Sequence, residues 1–207
     1  EALEIASVCV SRTLELEQVL DQILAQVARV VSGDSSNVML IENQEARVVR
    51  WRGRDRVGGA VKTSEQTLQL SECPHLIRMS ETGRPMVIHD TRLDRHWSDC
   101  WGWEWVRSYV GAPIRLGDTV VGFLNVDGSE QGQFSISDAH RLETFASHAA
   151  AAIENARLYE SLRNHADMLE SRVAERTAQL QAQYARLGAV LDSTVNGIVV
   201  TGHDEEL

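Results

Sequence analysis

Between Ser137 and Gly188 the chain runs for about fifty residues without a proline or a glycine. An average globular helix is roughly 11–12 residues long, so this run predicts a single helix of unusual length. Ser135-Ile-Ser-Asp138 opens it, with Ser137 as the expected N-cap and Gly188 as the first breaker. A helix this long cannot bury itself in a small core, and it needs a partner for part of its length. The 207 residues exceed one ordinary domain of about 100–150 residues and are short for two. One globular domain plus a helical extension is the expectation.

Composition narrows the function classes. A hydrophobic fraction of 43% excludes a wholly disordered chain. A net charge of −10 opposes nucleic-acid binding, which leaves a basic footprint. No stretch approaches the ~20 apolar residues of a membrane span. No signal peptide opens the chain, and its start at Glu1 suggests a piece of a longer protein. Cys9, Cys73 and Cys100 form no disulfide framework or zinc spacing, and each reads as a small buried hydrophobe. A cytoplasmic setting, no membrane and no metal are expected.

Upstream the pattern is mixed, which predicts an α+β fold. Leu16, Val19, Leu20, Ile23, Leu24, Val27 and Val31 recur at three-four steps, the mark of a helix. Gly33 reads as its stop and residues 34–36 as a turn. Residues 37–41 and 46–52 read as a hairpin around a polar turn at 42–45. Arg50, Arg52, Arg54 and Arg56 alternate, so a strand would carry them on one face, solvated or binding an anion. Residues 60–70, after Gly58-Gly59, are undetermined, with a short strand as one reading. Residues 74–82 read as a helix started by Pro74 and closed by Gly83, followed by a strand at 85–88. Residues 108–114 and 119–126 read as a second hairpin about Gly117-Asp118.

Five strings in order resemble a GAF domain over residues 3–160. They are Glu-Thr-Gly-Arg-Pro-Met-Val-Ile-His-Asp at 81–90, Arg-Ser-Tyr-Val-Gly-Ala-Pro-Ile at 107–114 and Val-Gly-Phe-Leu-Asn-Val-Asp at 121–127. Phe-Ser-Ile-Ser-Asp at 134–138 and the segment 149–159 complete the set. The resemblance implies a central antiparallel sheet of five or six strands with helices on both faces and a ligand pocket on one. It further implies a GAF sensor domain at 1–160. Residues 169–180 resemble the coiled-coil signalling linker of sensor proteins, placed at 161–190. Residues 189–201 resemble the opening of a PAS domain, of which 191–207 would be a fragment. A histidine kinase is then the expected output of the full protein, with a diguanylate cyclase as the rival.

A heptad can be written from Tyr159, with position a at Tyr159, Ala166, Val173, Leu180 and Leu187. Position d is Leu162, Leu169, Arg176, Gln183 and Val190. Eight of the ten are apolar, which predicts a parallel homodimer seam roughly 48 Å long at ~1.5 Å per residue. Arg176 and Gln183 weaken such a seam and can fix or shift its register. Upstream, Leu142, Phe145, Ala149, Ala152 and Ala156 form a stripe of their own. It either continues the seam through a stammer at Tyr159 or faces the sheet.

No phosphate loop, catalytic triad or phospho-acceptor histidine box appears, so no catalysis is expected of this chain. A candidate ligand pocket draws on Cys73, His75, Asp90, Trp97, Cys100, Trp101, Trp103, Trp105 and Tyr109. The four tryptophans either cage a planar or cationic ligand or plug the space themselves. The cofactor is unknown. Asn125 is followed by Val126 rather than lysine, unlike cyclic-nucleotide relatives. No Cys-His pair of the bilin type is present. A ligand-free relay is one alternative. A free methionine sulfoxide reductase using Cys73 and Cys100 is a remote one.

Overall fold

The computed structural model describes residues 2–53, 67–98 and 104–201, and in 2–15 and 192–201 the backbone alone. In chain order the elements are α1 (Ala2–Val30), β1 (Ser35–Glu42), β2 (Glu45–Gly53), β3 (Thr67–Gln69) and α2 (Pro74–Thr82). Then come β4 (Met86–Ile88), β5 (Ser108–Leu116), β6 (Thr119–Gly128) and α3 (Ile136–Thr201). The strands form one six-stranded sheet in the order β3-β2-β1-β6-β5-β4, and every pairing is antiparallel. This is the α+β architecture expected from the sequence.

Both hairpins turn in two residues. Asn43 and Gln44 take φ of 51° and 66° between the paired Glu42 and Glu45, the backbone of a type I′ turn. Gly117, at φ 60°, does the same work between Leu116 and Thr119. The chain's first and last strands, β1 and β6, pair at the sheet's centre from Ser35↔Asp127 to Leu40↔Gly122.

Strand alternation gives the sheet two faces. One carries Val38, Leu40, Val110, Ala112, Ile114, Leu124 and Val126. Against it pack Leu20, Leu24 and Val27 of α1, and Ala139, Leu142, Ala146, Ala149 and Ile153 of α3. The sheet-facing alternative therefore holds for the upstream part of α3, with Phe145 packed at the margin. The other face carries Met39, Tyr109 and Phe123 and is covered by Leu76 and Met79 of α2 and by Trp97.

Four local expectations need correction. Ser35 and Ser36 belong to β1 rather than to a turn. Gly33 is not a left-handed helix stop. A Cβ there would come within 2.2 Å of the Val126 side chain, so close approach to β6 is what requires glycine. Arg50 is neither solvated nor an anion site: it pairs with Glu17 and, at 3.6 Å, with Asp21, both on α1. Arg52 is exposed, and Arg54 and Arg56 lie outside the described residues.

The fourth concerns α3. Its cap is Ser135, not Ser137. The Asp138 carboxylate accepts from the Ser135 backbone N–H at 2.9 Å and from its hydroxyl at 2.7 Å. In return the Ser135 hydroxyl oxygen accepts from the Asp138 N–H at 3.4 Å, which completes a capping box. Nor does Gly188 end the helix, which continues through residues 189–201 to Thr201. A lone glycine costs a helix about 1 kcal/mol, too little to stop one flanked by Ala189, Val190 and Leu191. The chain divides into two compact units, Glu1–Arg157 and Leu158–Leu207.

Ser135→Ala is expected to cost about 1 kcal/mol of stability in urea unfolding, and Ser137→Ala no more than a few tenths. Equal costs at the two serines would contradict the capping assignment.

Candidate functional site

The face under α2 is where most of the described pocket candidates meet. Pro74 stands in the first turn of α2, and Gly83 closes it in a left-handed conformation, φ 61°. Those two signals set the helix so that His75, Leu76 and Met79 point at the sheet. Cys73 caps the helix and is wholly buried in the same cluster. Trp97 arrives from the turn-rich segment between β4 and β5. That segment is pinned at both ends. Asp94 accepts the His96 N–H at 2.8 Å, and the Thr91 hydroxyl donates to the Val106 carbonyl at 2.6 Å.

Three rings meet there. The His75 and Trp97 centroids stack at 4.8 Å with planes 25° apart. Tyr109 meets His75 edge-on at 5.1 Å and Trp97 at 5.4 Å. His75 is 1% exposed, and neither of its ring nitrogens has a partner at good hydrogen-bond geometry, although the His96 backbone lies close enough to favour the charged ring. Burial lowers its pKa from 6.5 to about 4; the nearby His96 backbone and the Asp94 charge oppose the shift without reversing it. His75 is therefore a neutral imidazole at pH 7, with one donor and one acceptor unspent.

Beneath the rings runs a buried polar chain. The Tyr109 hydroxyl donates to Asn125 Oδ1 at 2.6 Å, and Asn125 Nδ2 donates to Asn37 Oδ1 at 2.8 Å. Tyr109 can reach Asn125 because Gly111 leaves the space. A Cβ on Gly111 would stand 2.1 Å from the Tyr109 hydroxyl oxygen. One step further along β6, Asp127 is 3% exposed and accepts from the Ser35 hydroxyl at 2.8 Å. Burial raises its pKa to about 6, and the Ser35 bond only partly opposes that. Burial likewise pushes the Tyr109 phenol well above 10, with the Asp127 charge adding to it.

Cys73, His75, Trp97 and Tyr109 thus come together, and Trp105 packs half-buried against them. Asp90 does not join them: it pairs with Arg107 at 3.2 Å and accepts the Arg92 N–H at 3.1 Å. Cys100, Trp101 and Trp103 lie outside the described residues. Sequence reasoning missed Asn37, Asn125, Ser35 and Asp127. Period-two counting from Met39 and Phe123 would have placed all four on the pocket face. A separate open cleft of about 500 Å³, lined in part by Asp34, Ser129 and Arg141, contains none of the expected pocket residues. Among the described residues no cluster of three or more His, Cys, Asp or Glu could hold a metal.

In the second unit the expected seam residues stand open. Tyr159, Leu162, Leu169, Val173, Leu180, Leu187 and Val190 are 52–66% exposed, and Ala166, Arg176 and Gln183 are exposed as well.

The model of the GAF domain family matches residues 13–154. The chain belongs to that family. Over 57 residues it is also 39% identical to the anaerobic nitric oxide reductase transcription regulator NorR of Citrobacter koseri. That match covers 28% of this chain and 11% of the regulator. In structure the chain is similar to the GAF domain/HD domain protein of Geobacter sulfurreducens, with a TM-score of 0.62 and 15% identity. The likeness covers 70% of this chain and 96% of that one. It is also similar to the type II free methionine-R-sulfoxide reductase of Thermoplasma acidophilum, with a TM-score of 0.59 and 12% identity, over 70% and 96%. At such identities these two share the GAF fold and nothing more is carried over. GAF domains are a family of sensory and regulatory modules. No helix among the described residues is long and apolar enough to cross a membrane.

The two buried titrating groups oppose each other. His75, held neutral, stabilises the fold above pH 6.5, and that contribution is lost as pH falls towards 4. Asp127, which holds its proton more tightly when folded, favours the fold at low pH and loses that contribution as pH rises from 3.8 to 6. Asp127→Asn is expected to gain stability over the parent as pH rises from 4 to 6, on the order of 2–3 kcal/mol. Urea midpoints at half-unit pH steps measure it, and a pH-independent difference would refute the assignment. Gly111→Ala is expected to cost about 1–3 kcal/mol by displacing Tyr109, read as a lower urea midpoint and altered near-ultraviolet circular dichroism.

Proposed function

We propose that this GAF domain is a non-catalytic sensory module that binds a small, planar, uncharged ligand at the His75–Trp97–Tyr109 cluster. The observation that carries the reading is His75: 1% exposed, neutral, stacked on Trp97, with both ring nitrogens unbonded. An unpaired buried polar group costs roughly 1–3 kcal/mol, a cost that a ligand supplying a donor or an acceptor removes. A planar group that displaces Trp97 can stack on the imidazole and spend those bonds.

The module acts in the cytoplasm as a parallel homodimer through the exposed apolar face of α3. It passes its state along α3 to a following PAS domain and an output domain. A histidine kinase is the leading output and a diguanylate cyclase the alternative. The stretch similar to a transcription regulator adds gene control as a further output class.

A second reading rests on the ring distances. At 4.8–5.4 Å the three rings fill one another's contact space, as a ligand-free relay domain would arrange them. The reductase reading is weaker, because Cys73 is wholly buried in an apolar cluster, whereas reactive cysteines sit partly exposed.

Native mass spectrometry and absorption of the full chain as isolated decide between them. Sensing predicts an added small-molecule mass or chromophore that His75→Phe loses while the fold survives. A bare chain, whose tryptophan fluorescence no compound of a metabolite panel shifts, supports the ligand-free relay. Turnover of free methionine sulfoxide would overturn both.

A further inference from the structure

The exposed apolar residues of the second unit do not all follow the heptad. Tyr184 is 72% exposed and Leu191 58%, and neither stands at an a or d position of the frame that starts at Tyr159. Apart from Leu158 and Met168, which are also exposed and lie on neither pattern, most of the exposed apolar residues obey a different spacing. Leu162 and Leu180, Ala166 and Tyr184, Leu169 and Leu187, and Val173 and Leu191 are each eighteen residues apart, as are Tyr159 and Thr177.

Eighteen residues are five turns at 3.6 per turn, so such a repeat returns to the same side of a straight helix. At 100° per residue these ten positions fall within an arc of about 80°. The strict heptad drifts about 20° per repeat, which carries its d positions some 80° round the helix between Leu162 and Val190. That drift is what brings Arg176 and Gln183 into the heptad seam. The straight stripe replaces them with Thr177 and Tyr184. Thr177 satisfies its hydroxyl on the Val173 carbonyl at 2.8 Å, which leaves its methyl for packing.

From this stripe we infer that a second copy of the chain packs in parallel along it, with Tyr184 and Leu191 in the contact and Gln183 and Val190 at its margin. The inference rests on the homodimer reading and specifies its contact surface. Eight large apolar side chains of the stripe are 52–72% exposed in each copy. Burying roughly 100 Å² of each gives about 800 Å² per copy, the size of a standard specific interface.

Charge fixes the direction. Glu170 flanks the stripe on one side, and His165, Arg172 and Arg176 flank it on the other. Arg163, on the Glu170 side, is engaged by Asp167 of its own helix at 4.0 Å. A parallel two-fold pair brings opposite flanks together, so Glu170 meets the basic flank of the second copy; an antiparallel pair brings like flanks together. A stripe with 3.6-residue periodicity also needs little supercoil, in contrast to the left-handed winding that a heptad imposes.

The test is the dimer dissociation constant of the full chain, read by light scattering over a dilution series, with circular dichroism to confirm helix content. Tyr184→Glu and Leu191→Glu are each expected to raise it at least about tenfold, and Gln183→Glu and Val190→Glu less than about threefold. The reverse ranking, or four equal effects, would overturn the straight stripe and leave the homodimer standing. A parent chain that is monomeric at about 100 μM would overturn both.

Discussion

The hydrogen-bond chain from Tyr109 through Asn125 to Asn37 crosses three neighbouring strands and fixes how the rest of the sheet must sit. Asn37 and Asn125 are direct partners in the β1–β6 ladder, and Asn125 faces Gly111 across β5–β6. A slip of one residue between β1 and β6 would turn one amide into the apolar face beneath α1 and α3 and leave the other without its partner. The apolar face is built of residues such as Leu24, Val27, Leu142 and Ile153, whose side chains can neither accept nor donate a bond. Burying an unpaired amide costs roughly 1–3 kcal/mol, so two of them are a strong penalty against the wrong register. The glycine at 111 belongs to the same device, because it lets the tyrosine lie over its own strand and reach the chain.

That device also explains what could and could not be read from the sequence. The helices and hairpins are legible because apolar periodicity and turn residues act locally: Pro74 and Gly83 bound α2 where their chemistry requires. Asn37 and Asn125 are opaque because a polar residue in a strand ordinarily marks the solvent side. Only the three-strand pairing reveals that these two satisfy each other in the core. The cap of α3 falls on Ser135 rather than on the expected Ser137 for a similar reason. Ser135 and Ser137 both precede a helical run, and reciprocity with Asp138 is visible only once the chain has turned. In the site, residue type singles out His75, Trp97 and Tyr109, and the fold brings these three rings into contact. Asp90 looked equally suitable, yet its carboxylate is held by Arg107.

The long helix presents the opposite case, in which one visible pattern admits two periods. Between Tyr159 and Val173 a heptad and an eighteen-residue repeat coincide, since three-four steps serve both. They part company only at Arg176, where the heptad must accept a charged residue. Gly188 likewise reads as an end when sequence alone is weighed. With good helix formers on both sides, its cost of about 1 kcal/mol is absorbed.

The two faces of the sheet are joined by the strands they share. Tyr109 and Val110 are adjacent on β5, one under the ring cluster and the other against α1 and α3. Asn125 and Val126 stand in the same relation on β6. A ligand that moves the Tyr109 ring has Gly111 beside it, and the clearance there is below one Cβ. The displacement must then be taken up either by the ring's bond to Asn125 or by the backbone of β5. Under the sensory reading, the second route reaches α3 directly. Beside Leu142 and Ile153, most of the α3 residues that meet the sheet core are alanines (Ala139, Ala146, Ala149 and Ala150), and alanine has no side-chain torsion with which to absorb a shift. The run of small residues at the start of α3 thus makes it a stiff receiver of strand movement, which a leucine-rich contact with free rotamers would not be.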